Sequence, residues 1–182
     1  MLAEKLTDAV RQEHREIRDT LIDLIEAFHQ RDMKLVQSLL ARFDMLMGPH
    51  FRYEEESVYH MMVPILGTDY IQQLLTEHDR MIGIAKRLMD FSEKDLLTDD
   101  ELACAIKMIR RLLLHVSQCE GLSVMAERLS EEEVQRILDS RERAKKANVS
   151  LIEWSDAMRS RPVTMPEPGL LAVESLELRC TD

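Results

Sequence analysis

Four successive stretches of this chain carry an apolar residue at every third or fourth position, and each holds a histidine on that stripe near its middle. The stripes predict amphipathic helices. The histidines are His14, His50, His78 and His115. A ring on such a stripe is buried, and its nitrogens lose their hydrogen bonds to water. Four such rings at one level of a bundle, with two glutamates close by, find their partner most simply in metal.

The first predicted helix covers residues 4–30, with Leu6, Val10, His14, Ile17, Leu21, Leu24 and Phe28 on one face. The second covers about 32–62, with Val36, Leu40, Phe43, Met47, His50, Glu54, Val58 and Met61. Gly48-Pro49 is expected to kink or restart it just before His50. Pro64 and Gly67 supply a short connection. Thr68-Asp69 can cap the third helix, which runs to about residue 92 through Ile71, Leu75, His78, Ile82, Ala85 and Met89. Thr98 followed by Glu101 is a capping-box signal for the fourth, whose face holds Met108, Leu112, His115, Cys119 and Leu122.

Short loops between such helices imply an all-α, up-down-up-down antiparallel four-helix bundle over residues 1–130. Residues 131–182 form an additional C-terminal extension. Ser130 with Glu133 opens a mostly polar helix over 131–147, and a short helix is expected at 150–160. Pro162, Pro166, Pro168 and Gly169 then leave an irregular tail.

Helix rise tests whether the rings meet. His14 lies about 22 Å before the first turn and His50 about 27 Å after it. His50 and His78 lie about 18 and 15 Å from the second turn, and His78 and His115 about 21 and 25 Å from the third. All four therefore arrive near one level of an antiparallel bundle. His29 and His60 fall at helix ends and do not. Glu54 is one turn after His50 and shares its direction. Glu120 is five residues after His115, about 140° around the helix. Cys119 follows His115 more directly and reads as a small core residue. Glu55, Glu56 and Glu77 read as solvent-facing, and the 12 methionines as core filler.

The net charge of −10 leaves no basic stripe for nucleic acid. No apolar run is long enough to span a membrane, and the N-terminus lacks the apolar core of a secretion signal. Cys104, Cys119 and Cys180 form no CxxC pair, so a disulfide framework or thiolate zinc site is not expected. A cytoplasmic location follows.

Imidazole and carboxylate together suit divalent iron, manganese or zinc. Four histidines and two glutamates are too many for one structural zinc and suit a dinuclear centre. The segments EHREI at 13–17, HFRYEEESVY at 50–59, EHDRMI at 77–82 and HVSQCE at 115–120 resemble the hemerythrin-like (HHE cation-binding) family over about residues 6–130. The resemblance implies a four-helix bundle with a non-haem centre of two iron ions. His14 and His50 would hold one iron, His78 and His115 the other, and Glu54 and Glu120 would bridge them. The oxygen carriers of the family have a second histidine one turn before the third-helix ligand, where this chain has Leu74. Binding or sensing of oxygen, peroxide or another small diatomic molecule is therefore expected rather than oxygen transport. A di-iron enzyme or a factor for iron–sulfur repair or for handling nitric oxide or peroxide is an alternative, as is a signalling module that meets a protein partner through residues 131–182, with Trp154 and the Pro-rich tail as contacts.

Overall fold

Helix α1 spans Leu2–His29 and buries every residue of its predicted stripe. The structure, a computed structural model, describes residues 1–161. The tail expected from Pro162 onward, and Cys180, lie outside the described residues.

Helix α2 spans Met33–Tyr53, and the Asp32 side chain caps it by accepting from the Leu35 amide. The break expected at Gly48-Pro49 is not there; the helix runs through Pro49. Gly48 answers to packing instead. A Cβ at this position would lie 2.1 Å from the Val149 carbonyl oxygen, so a later part of the chain crosses α2 in direct backbone contact. The irregularity comes one turn further on. Residues Glu54–Val58 form a π-helical turn, with the Tyr59 amide donating to the Glu54 carbonyl, before α3 resumes at Tyr59–Leu66. Pro64 lies inside α3, and Gly67 alone makes the connection, at φ 81° and ψ 157°, which a side chain would strain.

Helix α4 spans Thr68–Ser92, with no side-chain cap from Thr68 or Asp69. Helix α5 spans Asp99–Met125 behind the predicted Thr98/Glu101 capping box. A 3₁₀ turn at Ala126–Arg128 leads to α6, Glu131–Ala147, which opens on the predicted Ser130/Glu133 box and ends at Asn148 in the left-handed region. The short α7, Leu151–Glu153, runs into a second π-helical turn, Trp154–Met158. The architecture is all-helical, with no strand among the described residues. None of these helices is long and apolar enough to cross a membrane.

Helix α1 packs on α2 and α5, and α4 packs on the same two, so the four long helices close a ring. Its interior holds two apolar clusters. One gathers Leu21, Leu24, Phe28, Leu40, Phe43, Leu88 and Ile109; the other gathers Leu6, Val10, Tyr53, Tyr59, Ile71 and Leu122. His14 and His78 lie between them in sequence on α1 and α4, and His50 and His115 lie where the first cluster gives way to the second on α2 and α5. The extension belongs to this core: Val134, Ile137, Leu138 and Ala144 join the second cluster, and Leu151 and Trp154 the first. Trp154, expected as a partner contact, is only 2% exposed.

Candidate metal centre

The four rings do meet, and all are buried. His14 Nε2 lies 3.2 Å from His50 Nε2, and the ring centroids of His78 and His115 are 5.3 Å apart. Glu54 lies between the pairs. One carboxylate oxygen is 3.5 Å from His50 Nε2 and the other 3.3 Å from His78 Nε2. That second oxygen has no hydrogen-bond partner among the described residues, and His78 Nε2 is taken by the Tyr59 hydroxyl at 2.7 Å. Phe51 stacks flat on His78 at 3.7 Å and holds that ring in place.

Among the described residues, two sets of donor atoms occur, the atoms of each lying within 4.8 Å of one another. One is His14, His50 and Glu54; the other is His78, His115 and Cys119. Glu120 is not brought into the cluster. Its side chain is 50% exposed and faces Arg11, with 3.7 Å between Oε1 and Arg11 Nε. At 100° per residue, the fifth position after His115 has turned away from the interior, and the fourth has not. Cys119 thus stands where the second carboxylate was expected, with its sulfur 3.4 Å from His115 Nε2. Leu74 packs at the edge of the second apolar cluster and supplies no donor.

Glu55, expected in solvent, is buried and accepts from His78 Nδ1 at 3.0 Å. The wide π turn explains this, because it turns both Glu54 and Glu55 inward and brings Tyr59 to His78. Glu13 plays the same part for His50, accepting from Nδ1 at 3.1 Å and from the Tyr53 hydroxyl at 3.0 Å. Both carboxylates fix the Nδ1–H tautomer and turn the Nε2 lone pair inward. Helical periodicity alone gives no sign of a π turn, so Glu55 and Tyr59 were not legible as site residues. Glu77 is also withdrawn from solvent and pairs with Arg80 and Arg111.

The electrostatics divide the rings into two kinds. Burial, aided by the charge of His50, pushes His14 down to about 4. Burial and the charge of His78 push His115 down to about 3. For His50 and His78 burial acts in the same sense but is outweighed, by Glu54 and Glu13 for the first and by Glu54 and Glu55 for the second, so both are raised. Burial also opposes ionisation of Glu54, yet His50, His78 and His14 hold it down to about 2. Cys119 is raised well above its usual range, by burial first and the charge of Glu54 next.

This donor set fits a pair of cations. A carboxylate oxygen without a partner sits among imidazoles, and two Nε2 atoms point at one another, each short of a donor unless a proton or a cation comes between. A small cavity of about 20 Å³ lies alongside, lined by Glu54, Tyr53, Cys119, Met62, Val58 and Leu122 among others. It has room for one water-sized molecule.

A helical bundle with imidazoles and a carboxylate converging from four helices defines a cation-binding protein. The hemerythrin HHE cation binding domain matches residues 5–133, and the chain belongs to that family. No curated protein and no solved structure matches the chain.

Proposed function

We propose that this protein holds two iron ions and binds or senses a small oxidant such as oxygen or peroxide. His14 and His50 would hold one ion, His78 and His115 the other, and Glu54 would span them. The observation that carries this reading is the reach of Glu54 to both pairs, 3.5 Å to His50 and 3.3 Å to His78. The up-down-up-down sense of the bundle belongs to the same reading. It is supported by the alternating order in which α1, α2, α4 and α5 visit the two apolar clusters.

Two iron ions so close would supply one electron each to a bound oxidant. The chain's own part is to keep His14 and His115 neutral, to aim all four imidazoles, to admit one small molecule and to keep bulk water out. The apolar wall of Val10, Val58, Met62 and Leu122 does the last of these. The Tyr59 hydroxyl must release His78 Nε2 before that nitrogen can take a cation.

Ferrous loading under anaerobic conditions is expected to give about two metal ions per chain and, on exposure to air, a new near-ultraviolet absorption. Uptake of less than about one ion per chain would sink the reading. One observation favours a second metal. The set His78, His115 and Cys119 offers two nitrogens and a sulfur, which suits zinc. Zinc rather than iron after aerobic purification would establish that version.

The proton balance gives a further prediction. His50 and His78 hold their protons above the ordinary range in the metal-free chain, so a cation must displace them. Affinity for ferrous ion should therefore fall as pH falls, by up to about 100-fold per pH unit once both rings are protonated, a factor of ten for each proton. It should level off at high pH, where both are already neutral. Titrations between about pH 6 and about pH 8 would test it, and a flat profile would contradict it.

A further inference from the structure

The two outer carboxylates of the centre do not end at the histidines. Glu13 holds His50 Nδ1 with one oxygen, and with the other accepts from Arg141 Nε at 2.8 Å. Glu55 holds His78 Nδ1, and both of its oxygens accept from Arg159, one of them from Nε at 2.9 Å. The same arrangement, arginine to glutamate to the Nδ1 of histidine, thus occurs twice, once in each half of the site. Among the described residues, no such carboxylate lies on Nδ1 of His14 or His115. Both arginines lie beyond residue 133, where the family domain ends.

Arg141 is on α6, and Arg159 follows the turn that holds Trp154. The Arg159 side chain is fully buried, donates to Asp79 at 2.6 Å as well and lies 5.6 Å from the Trp154 ring centroid. Between them the chain crosses Gly48 on α2 at backbone contact distance, three residues before Phe51 and two before His50. On either side of that crossing α6 and α7 both pack on α2, while Arg141 reaches Glu13 on α1 and Arg159 reaches Glu55 in the π turn and Asp79 on α4.

We propose that Arg141 and Arg159 are positioning residues of the metal centre, so that residues 134–159 dock more firmly on the bundle when cations are bound. This rests on the reading of the cluster as a cation site. An imidazole fixed by a cation at Nε2 presents a stronger Nδ1–H to its carboxylate, and an anchored carboxylate holds the ring ready for the cation. Such coupling is reciprocal: whatever the arginines add to cation affinity, the cation adds to the docking of the arginines. The extension thereby turns occupancy of a buried site into a change in a segment at the surface of the bundle.

The test uses the full chain with ferrous ion under anaerobic conditions, and reads iron affinity together with amide hydrogen exchange over residues 134–159. In the unaltered chain, iron should slow exchange in that segment by about tenfold. Arg141→Ala and Arg159→Ala should each weaken iron by at least about tenfold and abolish the slowing. Arg141→Lys and Arg159→Lys keep the charge but lose the forked grip, so they should fold and show a smaller loss of about threefold. Should the alanine variants fail to fold, the lysine variants decide. Wild-type affinity in both, or exchange over 134–159 that iron does not alter in the unaltered chain, overturns the proposal. A chain that takes up no iron at all overturns the cation reading and this inference with it.

Discussion

A chain cut after Ser130 is expected to lose at least about 15 °C of melting temperature in the metal-free state, or to lose cooperative melting altogether. The cut removes Val134, Ile137, Leu138 and Ala144 from one apolar cluster and Leu151 and Trp154 from the other. Each of the larger side chains contributes about 1.5–3 kcal/mol by burial, against about 5–15 kcal/mol for the whole stability of an ordinary domain. The deleted residues also no longer need to be ordered, which offsets part of that loss. What is not offset is the apolar surface they uncover on α1 and α2. Glu13, Glu55 and Asp79 lose their arginines as well, but water then reaches them and relieves that cost, so the apolar term decides. Trp154→Ala tests the same point at one residue, with an expected loss of about 3–5 kcal/mol. Circular dichroism melts would read both. A truncated chain melting cooperatively within about 5 °C of the full chain would show the extension to be an appendage.

The sequence carried the four long helices because each depends on local signals: a stripe at helical spacing, and capping boxes at Thr98 and Ser130. It carried the meeting of the four histidines because helix rise converts residue counts into height. It did not carry what depends on contacts between distant parts of the chain. Gly48 looked like a helix breaker, and its reason is the backbone of Val149, a hundred residues away. Glu55 looked exposed because a regular α-helix would turn it outward, and the π turn does not. Arg141 and Arg159 sit in a segment that reads as polar, and nothing local marks them as partners of Glu13 and Glu55. Glu120 shows the opposite fault. A family pattern suggested it, while the helix angle already favoured Cys119, and the geometry follows the angle.

That last contrast leads to the second large effect. Glu54→Gln should weaken ferrous binding by more than about 100-fold, whereas Glu120→Gln should change it by less than about twofold. Loss of an outer partner of a metal ligand typically costs about 10–100-fold, and a carboxylate reaching both histidine pairs should matter more. Glutamine keeps the volume of Glu54 and one carbonyl oxygen, so the core stays filled. What it removes is the negative charge that draws two cations together and holds His50 and His78 in the raised range. Glu120 is half-exposed beside Arg11 and faces away from the interior. Cys119→Ala separates the two halves of the site: it should weaken one of the two ions by about tenfold and leave the other unaltered. Isothermal titration with ferrous ion would read all three. If Glu120→Gln proved as damaging as Glu54→Gln, α5 would have to rotate on loading by roughly a third of a turn.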